Sequence, residues 1–155
     1  MLVISLIVNN SAAQQRQIYL QSYNYIKTHN GSCSIFVVDT IVNIDIAPFS
    51  GLLSKEWMKN SSHTMEIIDS LDNIKISHKK YQFLNRFNTN NKSTKIIYFS
   101  NFRGGLLVAD VFDEKLISNL NYHKQTQYNQ SERYLFIFNK RNKIRKVFRL
   151  KMQYN

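Results

Sequence analysis

Four histidines, one cysteine and a small group of carboxylates are the residues through which this chain could do acid-base, metal or nucleophilic chemistry. His29, His63, His78 and His123 stand in polar surroundings, and no two are four residues apart, as paired ligands on a helix would be. They read as solvated surface residues. His63, His78 and His123 are candidate pH sensors, because imidazole is the side chain that titrates unperturbed between about pH 6 and 7. Asp110, Asp113 and Glu114 cluster at the end of an apolar run, where a general acid or base could sit. A helix beginning at Asp113 accounts for the last two more simply, since negative charge stabilises the positive end of a helix. Cys33 has no second cysteine, which excludes an internal disulfide and the usual cysteine zinc site. It is expected as a small buried residue or, in an oxidising compartment, as a thiol for an intermolecular bond. Arg103-Gly104-Gly105 lacks the glycine spacing of a phosphate-binding loop. With no paired catalytic groups, the sequence predicts no enzyme, no metal and no cofactor.

Charge is the stronger signal. Residues 1–78 carry five Lys/Arg against six Asp/Glu and residues 79–155 carry sixteen against four, so the halves stand at −1 and +12. Such a half attracts an acidic protein, nucleic acid or anionic lipid. The excess concentrates near the end of the chain, where residues 133–138 alternate as a strand and residues 143–152 return behind Lys140-Arg141-Asn142. In the returning arm Ile144, Phe148, Leu150 and Met152 share one face with Lys146, while Lys143, Arg145, Arg149 and Lys151 share the other with Val147. One face is apolar and the other basic. A helix over residues 143–152 is the alternative, disfavoured by the β-branched and aromatic residues and by the turn before them. A basic nucleic-acid-binding module would use Arg145 and Arg149 on phosphates and Tyr134, Phe136 and Phe148 on bases, yet no recognition helix or RNP-like motif accompanies them.

Positioning falls to a single domain over residues 1–155, of which 43% is hydrophobic. Residues 2–8 form an apolar run of seven, too short to cross a bilayer, where about 18 or more are needed. Residues 1–10 are therefore read as a first buried strand, as the remnant of a signal or membrane anchor, or as a short signal segment. Residues 11–29 fit a helix, with Ser11 as N-cap, a stripe through Tyr19, Tyr23 and Ile26, and Asn30-Gly31 as the stop. Residues 33–46 are strand-like, residues 52–60 fit a short helix carrying Trp57, and residues 62–76 fit a helix through Ile68 or a strand through Ile74. From residue 79 onward the runs around Tyr81 to Phe87, 95–99, 106–112 and 133–138 have the spacing of an antiparallel meander, with Gly104-Gly105 supplying a turn. Residues 113–122 read as a short helix and 123–132 as a polar loop. The predicted class is α+β: an N-terminal helix followed, over residues 33–155, by an antiparallel β-sheet or a partly open, lipocalin-like barrel. A strand at 2–8, a helix, residues 35–40 and a terminal hairpin also follow the order of a thioredoxin-like fold, redox-inactive here for want of Cys-x-x-Cys.

The segments KKYQFLNRFN (79–88), KIIYFSN (95–101), VADVFDEKLI (108–117) and RYLFIF (133–138) resemble the small periplasmic partner proteins of ToxR-like membrane-bound transcription regulators, the ToxS, VtrC, PsaF and FidL-like group. That resemblance spans residues 30–140. It implies a β-rich periplasmic domain behind an N-terminal membrane anchor, here missing or truncated. It also implies a heterodimer that stabilises the regulator's periplasmic domain and completes a site for a pH or small amphipathic signal. On that reading Phe83, Phe99, Val108, Phe136, Phe138 and Phe148 line the core or a cavity shared with partner and ligand.

Overall fold

The computed structural model describes residues 12–31, 34–72, 79–88, 94–113, 121–127 and 130–154. Helix α1 (Ala12–His29) buries Ile18, Tyr19, Ser22, Tyr23 and Ile26, an i, i+4, i+8 stripe that lays one side of a helix on a core. Gly31 ends it at φ 71°, where a residue without Cβ is unstrained. A short strand, β1 (Ile35–Val37), follows. The chain then passes through a 3-10 turn at Ala47–Phe49, α2 (Ser50–Trp57), α3 (Ser61–Asp72) and a 3-10 turn at Gln82–Phe87. Strands β2 (Lys95–Phe99) and β3 (Leu106–Asp113), the one-turn α4 (Tyr122–Gln125), and strands β4 (Gln130–Phe138) and β5 (Ile144–Gln153) complete the described elements.

The five strands form one open sheet in the order β1-β2-β3-β4-β5. Strands β2 to β5 run antiparallel to their neighbours, and β1 lies parallel to β2. The α+β class and leading helix agree with the sequence. The sheet itself corrects the expectation in two ways. It is mixed rather than antiparallel, because the long path through α2 and α3 returns the chain to lie beside β1 in the same direction. Nor is it a lipocalin-like barrel, for β1 and β5 occupy opposite rims.

Each face of the sheet carries its own core. Against α1 and the 82–87 turn pack Val37, Ile97, Phe99, Leu107, Ala109, Tyr134, Phe136 and Phe138. Against the 42–49 segment, α2 and α3 pack Ile96, Tyr98, Leu106, Val108, Phe112, Leu135 and Ile137. Burial on both sides explains why β2, β3 and β4 read as continuous apolar runs.

Four local expectations change, the first being that residues 123–132, read as a loop, hold most of α4 and the start of β4. Only residues 35–37 of the 33–46 run make a named strand; beyond it the Val38 and Val42 amides donate to Ile97 O and Phe99 O of β2, each at 3.0 Å, and Ile41, Val42, Ile44 and Ile46 are buried. Tyr81, Phe83 and Phe87 belong to a 3-10 turn and its flank rather than to a strand. Asp113 is the last residue of β3, paired with Lys95 at 2.8 Å, and residues 114–120 of the short helix expected over 113–122 lie outside the described residues. The ambiguous 62–76 region is helical through Asp72. Ser11, Cys33, His78 and Glu114, and residues 1–10 with their signal, anchor or strand readings, lie outside the described residues. Among the described residues no helix is long and apolar enough to cross a membrane.

Candidate functional site

The terminal hairpin forms as its sequence suggests, and its turn is built by one side chain. Asn139 Oδ1 accepts the Arg141 and Lys143 amides at 2.9 and 3.1 Å. Asn142 sits at φ 55°, a conformation asparagine tolerates better than most residues. Register then slips between Ile137 and Phe138, leaving Arg145 as an extra residue on β5. Adjacent residues of a regular strand face opposite sides. Here Arg145 and Lys146 both reach the Glu56 carboxylate on α2, at 2.8 and 2.6 Å. The slip also changes which residues share a face: Ile144 and Val147 pack toward α1, whereas Phe148 and Leu150 pack toward α2 and α3. Of the expected basic face, Lys143, Arg149 and Lys151 are exposed, and Arg145 is held by Glu56. The Lys146 hydrogen bond foremost, with the Arg145 charge also contributing, holds the Glu56 carboxyl below its ordinary range.

Among the described residues the one neighbour of β5 is β4, so one edge of a ten-residue strand is open. The opposite rim is closed. Asn88 accepts the Val37 amide at 2.7 Å and donates to the Val37 carbonyl at 3.1 Å, so its side-chain amide substitutes for one residue of a sixth strand. Tyr81 N–H donates to Asp39 O at 2.8 Å and Ile41 N–H to Lys79 O at 3.0 Å, extending the cover.

Between the rims lies a buried polar network that sequence reading missed. Asp110 on β3 and Arg133 on β4 are direct cross-strand partners. Arg133 Nε and Nη2 each donate to Asp110 at 2.8 Å, with side chains 4% and 0% exposed. The Tyr122 and Tyr154 hydroxyls donate to Asp110 Oδ2 at 2.6 and 2.9 Å, and Arg133 Nη1 donates to Asp45 O at 3.1 Å. Burial alone would lower the Arg133 guanidinium; the bonded Asp110 carboxylate outweighs it and holds it above its ordinary value. Burial first, and Asp110 second, raise both tyrosines. A cleft of about 580 Å³ opens beside the network, edged by Val42, Asp45, His123, Tyr122 and Tyr154. Chemically the network is a brace. It ties the loop, α4 and the end of the chain to the middle of the sheet, and its tyrosine protons are held too firmly for acid-base work near neutrality.

The remaining predicted residues do not converge. Phe99, Phe136 and Phe138 are buried on the α1 side with Phe83 packed against them, whereas Val108 and Phe148 lie with the opposite core. They fill two cores rather than line a single cavity. His63 is exposed on α3 with Nδ1 3.2 Å from Glu66, and His123 is exposed on α4. The aromatics proposed for base stacking are largely covered, Tyr134 at 1% and Phe136 at 0% exposure. Compared with protein-family models, curated proteins and solved structures, the chain matches none.

Proposed function

We propose that this chain is a noncatalytic binding protein that forms a heterodimer by accepting a strand of its partner along β5. The observation that carries the reading is the asymmetry of the sheet: one rim is closed by Asn88, and the other presents ten residues of edge. An edge strand offers alternate amides and carbonyls to an incoming chain. The brace supports a binding role, because it makes the platform behind β5 rigid and offers no activated nucleophile or base. The resemblance of residues 30–140 to the small periplasmic partners of membrane-bound transcription regulators suggests who supplies the strand: the periplasmic domain of such a regulator, with this chain placed in the periplasm. A nucleic-acid role has less support, since the basic face can neutralise phosphates but Tyr134 and Phe136 cannot stack on bases.

Co-expression with the periplasmic domain of a regulator encoded by the adjacent gene tests this. A one-to-one complex on size exclusion, protected from hydrogen exchange along residues 144–153, is the expected result. Separate elution of two folded proteins would remove the proposal.

A further inference from the structure

Taking β5 as the docking line, and so resting on the proposal above, we infer that its occupant is an acidic strand of another protein in which acidic and apolar residues alternate, and not a second copy of this chain. Arg149 and Lys151 stand exposed two residues apart on the α1 side of β5. The Arg149 guanidinium leans on the Tyr134 hydroxyl, and Glu132 lies across the ladder from Lys151. On the other side Phe148, Leu150 and Met152 are half-buried at the same two-residue spacing, so that core ends in apolar surface only partly covered. An added strand sets its side chains beside these with period two, about 4.5–5.5 Å from their neighbours. One phase of the guest meets cations and calls for Asp or Glu. Its other phase meets the apolar row and calls for Val, Ile or an aromatic residue.

Self-pairing runs against the same features. The ten residues of β5 hold four cations and no carboxylate, so two copies laid edge to edge would bring like charges together, a device by which edge strands avoid each other. A foreign acidic strand turns that repulsion into attraction and speeds encounter.

The test uses the full chain and fluorescent ten-residue peptides read by anisotropy. One alternates Glu and Val, a second alternates Lys and Val, a third has the first's composition in two blocks, and two more carry N-methyl groups on every second amide in either phase. The Glu/Val peptide is expected to bind at least tenfold more tightly than the Lys/Val and block peptides. Methylation in one phase should abolish binding, and the double change Arg149→Glu with Lys151→Glu should shift preference to Lys/Val. Equal binding of Lys/Val, with methylation still effective, would overturn the acidic assignment and leave edge docking standing. Full binding of both methylated peptides would overturn edge docking itself. Equal binding of the block peptide, binding of none, or a β5-linked dimer of the chain at micromolar concentration would each overturn the inference.

Discussion

The two rims of this sheet meet the same physical problem in opposite ways. At β1 the exposed ladder is only three residues long, and the chain spends a side chain and a returning segment to close it. At β5 the edge is more than three times longer and, among the described residues, is defended by its charges and by the bulge at Arg145. A covered rim is closed to every strand, whereas a charged rim is closed only to strands of the same sign. The difference teaches that β5 is selective rather than merely protected.

The largest expected effect comes from the shared scaffold. Arg133→Met takes the guanidinium from the buried Asp110 on β3, leaving it the Tyr122 and Tyr154 hydroxyls alone among the contacts described above, and should cost about 3–5 kcal/mol in denaturant unfolding. A loss under 1 kcal/mol would mean that the rims do not depend on the brace. Next comes the closed rim. Asn88→Ala leaves the buried Val37 amide and carbonyl unmet, which should cost about 2–3 kcal/mol and raise self-association through β1. Unchanged stability and a monomeric sedimentation profile would erase the contrast between the rims.

Smaller effects belong to the open rim. Glu56 has a folded-state pKa below its unfolded value, so its clamp on β5 contributes fully above the ordinary glutamate range and is lost as pH falls through the lower folded value. Glu56→Gln should flatten that acid-side loss in thermal melts; an unaltered profile would assign it to other carboxylates. Smallest in stability is Arg149→Glu with Lys151→Glu, within about 1 kcal/mol of the parent because both side chains are exposed. The same change should have the greatest effect on partner capture, and a melt shifted by many degrees would show that these cations serve the fold.

Much of this was legible in the residues. The strands over 133–138 and 143–152, the turn between them and the Asn30-Gly31 stop formed where expected, but the slip at Arg145 moved Ile144 to the face opposite Phe148 and Leu150. Residues 38–46 misled because apolar content reports burial rather than ladder pairing; they fill both cores, while past β1 their backbone meets β2 through the Val38 and Val42 amides without continuing the strand. Phe83 and Phe87 misled because a short aromatic run fits two periods until its packing partners in α1 are known. The brace had a signal that went unread. Asp110 shares its phase with Leu106, Val108 and Phe112, and Arg133 shares its phase with Leu135 and Ile137, so opposite charges stood at apolar positions of consecutive strands. Asn88 and Glu56 had none, because each gains its role from backbone or side chains brought near by tertiary folding.

The extra residue at Arg145 sets where the greasy and cationic rows of the last strand exchange sides, and Glu56 locks that crossover to the helical layer. Phase, not composition, is then what a ligand strand reads. Removing Arg145 while keeping the turn would leave Ile137 opposite Lys146 and Leu135 opposite Phe148, so both rows would keep their sides while the strand straightened and lost one of its two cationic grips on Glu56.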